Sequence, residues 1–230
     1  MKTNFFKVST VLTVTILFLT ILIGNAFGFG LKNLTGGKKK EKVNVDALVD
    51  KQSNLCKRLS TALIDITSAQ EHFALALNDK KTAEACKLRG KSLAEGNLTN
   101  PDTINKHIAA TKETAEKQKE LLKNADKWDA AKKRELQKGL VPYATGTVHS
   151  VLLGKEFADH LNSTKDAIKQ AGMTGALSVK KKLGVTLSVG PNVPRLGGEL
   201  LTTSNTVIQV AKKAKLNTSD AVEKLGELDS

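Results

Sequence analysis

The stretch LVDKQSNLCKRLSTALIDITSAQEHFALAL, residues 48–77, decides the fold. Leu48, Gln52, Leu55, Leu59, Ala62, Ile66, Ala69, Phe73 and Ala76 step by alternating fours and threes, and Val49, Cys56, Leu63, Gln70 and Leu77 run beside them at sevens. An α-helix turns once every 3.6 residues, so both series fall on one side of one helix and make a continuous apolar stripe. A half-buried strand would need alternation at two, which no stretch of this chain sustains. The spacing predicts a helix of about 30 residues, capped by Asn44 or Asp46 and packed at a shallow angle on its neighbours.

Downstream, the stripe weakens at Asn78-Asp79 and resumes as an Ala-rich segment from Thr82 to Glu95, ended by Gly96-Asn97. Asn100-Pro101-Asp102 has a cap followed by a proline at the first helical position, a strong start signal. The helix behind it, to about Asn124, has only the narrow stripe Ile104, Ile108, Ala115 and Leu122, as an outer helix would. A segment from Asp126 to Lys138 is expected to kink or break at Gly139-Leu140-Val141-Pro142 and to resume from Pro142 to Gln170. Ala171-Gly172 closes it. A shorter helix is expected from Thr174 to Val189, then a loop over Gly190 to Gly198, a helix through Leu200, Val207 and Ala214, and a short terminal helix capped by Thr218 or Ser219. The fold class is all-α: an elongated bundle of five to seven helices occupying residues 44–230.

Composition agrees with such a bundle. The 230 residues are 40% apolar and 26% charged, enough for a core, but only 4% aromatic, so Leu, Val, Ile and Ala must build the interior. The four prolines, Pro101, Pro142, Pro191 and Pro194, all lie beyond residue 100 and leave the first long helix unbroken. The formal charge of +13 means that a partner, if there is one, should be anionic, but most lysines are spread along helices at solvated positions, where they serve solubility.

The N-terminus reads as an export signal. Lys2 and Lys7 precede an apolar run from Val8 to Gly24, and Ala26 and Gly28 supply small residues for a peptidase. Without a cysteine there, lipid modification of the new N-terminus is excluded. The run exceeds an ordinary signal core of roughly 7–15 residues and approaches the ~20 of a spanning helix, so residues 1–28 are either a signal peptide or an uncleaved anchor. Lys32, Lys38, Lys39, Lys40 and Lys42 on the far side oppose the anchor with an exported domain, because basic flanks stay on the cytoplasmic side. Residues 29–43, rich in Gly and Lys, form a flexible linker. The expected location is periplasmic or secreted, with membrane anchoring by residues 8–28 as the alternative.

Site chemistry is sparse. Cys56 and Cys86 invite a disulfide in an exported chain. A hairpin at Asn78-Asp79 would, however, set them about 24 Å apart along the helix axes, well beyond the roughly 7 Å that a bridge allows between Cα atoms. His149 and His160 are three turns apart on one helix, too far for one metal, and Glu156, Asp159 and His160 are the nearest thing to a ligand cluster. No Glu-x-x-His, Cys-x-x-Cys, nucleophile elbow or phosphate loop occurs. Ser178-Val179-Lys180-Lys181 matches Ser-x-x-Lys without its companion motifs. No catalytic, cofactor or metal residue is therefore assigned.

The expected function is that of an exported, non-enzymatic helical scaffold or interaction protein of the cell envelope with an unknown protein partner. The alternative is a basic helical protein that associates with anionic membranes or acidic envelope polymers through Lys38, Lys39, Lys40, Lys42, Lys180, Lys181 and Lys182, the last three beside Val179 and Leu183. Scarce aromatics and export argue against nucleic acid.

Overall fold

A computed structural model describes residues 43–96, 98–123 and 128–230, and among these every regular element is a helix. Asn44 caps the first helix, α1 (Val45–Ala76), its side-chain oxygen accepting from the N–H groups of Asp46 and Ala47 at 3.1 and 3.2 Å. The spaced series is its buried side: Leu55, Leu59, Ala62, Leu63, Ile66, Ala69 and Phe73 are all at most 1% exposed. The helix ends where Asn78 enters the left-handed region at φ 60°, and the Asp79 N–H then reaches back to the Ala74 carbonyl at 2.8 Å. Asp79 immediately caps α2 (Lys80–Glu95), accepting from the Thr82 N–H at 3.0 Å. Asn100 does the same for α3 (Pro101–Lys123), accepting from Asp102 and Thr103.

Of the kink or break expected at Gly139–Pro142, the break is corrected. Helix α4 (Ala130–Gln170), 41 residues long, runs through Pro142 without a break. Packing outweighs the lost backbone bond, because Leu136, Leu140, Tyr143 and Ala144 around it are all buried. Gly139 is not a breaker but a point of close approach: a Cβ there would collide with the Phe73 ring of α1. Gly146 likewise meets Ile66 and the Ala62 carbonyl, and Gly154 meets Pro194.

The helix expected over Thr174–Val189 is two helices, α5 (Gly172–Lys182) and α6 (Gly184–Val189). In a continuous helix the Thr186 N–H would bond the Lys182 carbonyl. Here the Gln52 amide of α1 stands between them: its Nε2 donates to Lys182 O at 3.2 Å, and its Oε1 accepts from the N–H and hydroxyl of Thr186, both at 2.9 Å. A core glutamine thus bridges the break. The loop expected over Gly190–Gly198 shrinks to a turn, since α7 (Val193–Lys213) begins early. Pro194 falls in its first turn, where no N–H is needed, and Gly197 packs against Ser150 and Val151 of α4. Helix α8 (Ser219–Gly226) ends the order, which makes eight helices among the described residues where five to seven were expected.

Helix α4 is the central element. It packs against α1 and α7 most extensively and also touches α5, α6 and α8, while α2 packs on α1 and α3 lies against both α7 and α1. The main core lies between these helices. A smaller cluster of Ala167, Val179 and Leu183 gathers Val43, Val45, Leu48 and Val49 at the start of α1. That cluster fixes α5 over the end of the bundle at which the described chain begins.

Candidate functional site

Helix α5 starts at Gly172, whose φ of +65° turns the chain off the end of α4, and contains no acidic residue. Its inner side is held by Val179, 5% exposed, followed by the fully buried Leu183. This corrects the expectation that Val179 and Leu183 form the apolar side of a surface binder: both are used inside. The outward side carries Met173, 98% exposed, and Leu177, 76% exposed, one turn apart. Lys180 and Lys181 fall on the same side one turn further on. Positions 173, 177, 180 and 181 follow the helical repeat, and that pattern could have been found in the sequence had Val179 and Leu183 not drawn the apolar assignment.

The structure separates the expected lysines. Lys180 and Lys181 are exposed, with no ion pair among the described residues, whereas Lys182 points to the opposite side and pairs with Asp46 of α1 at 3.1 Å. Lys38, Lys39, Lys40 and Lys42, with the expected signal and nearly all of the linker, lie outside the described residues. The point where that segment joins the bundle is fixed: the Val43 N–H donates to Gln170 Oε1 at 3.2 Å, at the end of α4 from which α5 departs.

Elsewhere the polar groups serve the fold. Gln70 of α1 donates to the Thr111 carbonyl at 2.8 Å and accepts from Arg89 of α2 at 2.7 Å, while Gln118 of α3 donates to the Gln70 carbonyl at 2.6 Å. One buried network so ties three helices together. Lys117 and the Thr82 groups bond Asp79 and hold its carboxyl down to about 2, joining α3 to the start of α2. The Glu156, Asp159 and His160 cluster dissolves: Glu156 makes a bidentate pair with Arg58 at 2.6 and 2.7 Å, and His160 is fully buried. Among the described residues no group of three His, Cys, Asp or Glu side chains is placed to hold a metal.

A groove of about 300 Å³ between α1, the end of α2 and α6 is lined by Cys56, Ser60, Leu93, Leu98 and Val185. Burial pushes the Cys56 thiol up to about 11, so it stays protonated at neutral pH and is a poor nucleophile. Cys86 is raised for the same reason, and the two cysteines are separate free thiols. Among the described residues no helix is long and apolar enough to cross a membrane. Comparisons with protein-family models, curated proteins and solved structures found no match.

Proposed function

We propose that this chain is an exported, non-enzymatic helical scaffold of the cell envelope that works through its surface. The observation that carries the reading is α5, a helix anchored by Val179 and Leu183 that turns Met173 and Leu177 outward. Isolated exposed apolar side chains are ordinary, but two on one turn, both largely in water and followed by two lysines with no ion pair among the described residues, suit contact with something else. The interior supports a scaffold role. Gln52, Gln70 and Gln118 connect helix to helix through buried bonds, an arrangement that rigidifies a bundle. The basic, apolar leader supplies the expectation of export.

The test is fractionation of a Gram-negative host expressing the full chain, with the mass of the recovered N-terminus, beside the Met173→Ser/Leu177→Ser variant. The expected result is an envelope-associated wild type and a folded variant that shifts to the soluble fraction. Recovery of unprocessed wild type free in the cytosol refutes the proposal, as does unchanged envelope retention of the variant.

A further inference from the structure

We infer that the outward side of α5 docks on an anionic lipid bilayer, with Met173 and Leu177 entering the interface and Lys180 and Lys181 meeting headgroup phosphates. The inference rests on the reading above and names what α5 meets. Three features of the molecule converge on it.

The first is apolar. Met173 and Leu177 are the two most exposed large hydrophobic side chains among the described residues, and they project from a helix whose other side is fixed to the bundle. An interfacial helix needs a short apolar row with basic residues along it, entering only the headgroup boundary. A protein partner needs far more, on the order of 800 Å² per side for a standard interface, and the 11 residues of α5 offer two large apolar contacts.

The second is charge. Between Asp166 and Glu199 the chain has no acidic residue, while Lys169, Lys180, Lys181, Lys182 and Arg195 fall in that interval. Lys169 and Lys182 are paired with Asp166 and Asp46, which leaves Lys180 and Lys181 as the cations beside the apolar pair. Their positive field complements anionic lipid and weakens with salt.

The third is connectivity. The 42 residues that precede Val43 contain both the apolar run Val8–Gly24 and the Lys38–Lys42 block, and Val43 is fastened to Gln170 two residues before α5. Whether the leader stays in a membrane or is removed on export, the basic block is joined covalently to the same end of the bundle. A polyanion in solution would engage the lysines alone and leave Met173 and Leu177 without a role.

The test places an environment-sensitive fluorophore at Thr174→Cys, beside Met173, and at Leu88→Cys on α2 as a control, in the full chain as recovered from expression. Burial of Cys56 and Cys86 keeps labelling at the new thiol. Vesicles of phosphatidylcholine with and without 30% phosphatidylglycerol are titrated in ~50–500 mM NaCl, with a headgroup quencher in a parallel series. A blue shift and quenching at position 174, dependent on the anionic lipid and absent at 88, is expected. Lys180→Gln/Lys181→Gln should raise the lipid concentration at half-response about thirtyfold, and Met173→Ser/Leu177→Ser about tenfold or more. Equal responses at 88 and 174, no dependence on anionic lipid, or an apolar double variant that binds like wild type overturns the inference. Envelope retention that depends on Met173 and Leu177 without any vesicle response would sink this inference alone, whereas a cytosolic wild type would sink the reading beneath it.

Discussion

Alanine at position 139 distinguishes two roles for one glycine by the sign of its effect. A glycine inside a helix is worth about 0.5–1 kcal/mol less than alanine through backbone entropy, so if Gly139 only weakened α4, Gly139→Ala would stabilise the protein. The packing predicts the reverse. A Cβ at 139 would collide with Phe73 Cε1, lie 2.7 Å from Phe73 Cδ1 and lie 3.1 Å from the Ala69 carbonyl. Comfortable carbon contacts are roughly 3.5–4.0 Å, so ring or helix must retreat by about 1 Å. Phe73 has little room to do so, being fully buried with its ring 5.3 Å from that of Tyr143. Overpacking costs about 1–3 kcal/mol, and a collision this close with a fully buried ring belongs in the upper part, about 2–3, so that a net loss of about 1–2 kcal/mol is left after alanine's helix preference offsets about 1. For a domain of this size the midpoint should fall by about 2–8 °C. Gly198→Ala is the control, because it too lies in a helix, is exposed and has nothing within 4 Å of a built Cβ. It should gain about 0.5–1 kcal/mol. Urea and thermal unfolding followed by helical circular dichroism measure both. A Gly139→Ala protein as stable as wild type, or more so, refutes the close-approach account of the α1–α4 contact.

Three further outcomes are expected. Gln52→Leu removes the amide that bridges Lys182 and Thr186 and should cost about 1–3 kcal/mol; hydrogen exchange over residues 182–187 should accelerate with it, and unchanged exchange there contradicts the bridging role. Burial and the nearby Lys51 lower the His160 pKa, and burial together with Arg89 lowers that of His107, so the unfolded chain binds protons below pH ~6.5 that the folded chain refuses. Stability should therefore be full above that pH and decline as pH falls beneath it, with a shallower slope in His160→Leu; a flat profile between pH 7 and 5 would contradict the burial. At pH 8 a thiol reagent should modify Cys56 and Cys86 far more slowly in the native protein than in denaturant, and equal rates would show that the two sites open freely.

What was legible in the sequence follows from which residues act locally. The spacing from Leu48 to Leu77 defines α1 because a buried helix side repeats at the helical period, and Asn44, Asn100 and Pro101 mark ends because capping needs only near neighbours. Gly139 and Gly197 misled for the opposite reason. Their local preference favours a break, but their neighbours in space are Phe73, Ser150 and Val151, which lie far away in sequence and make a small residue a packing requirement. The break at Leu183 was invisible because the group that holds it, Gln52, is about 130 residues earlier. On α5 the lysines were found and the apolar partners misassigned: Val179 and Leu183 look like a surface row until α1 is laid across them, after which Met173 and Leu177 remain outside.

The unbroken course of α4 separates the two places at which the described chain begins and nears its end. Val43 is fastened at Gln170, and near the other terminus the Asn217 carbonyl accepts from Gln137 at 2.9 Å. Those anchor points are 33 positions apart on one helix, about 50 Å along its path at 1.5 Å per residue. Anything fused behind Ser230 is consequently joined to the chain beyond the end of α4 opposite Val43, so a C-terminal reporter should leave the outward side of α5 uncovered.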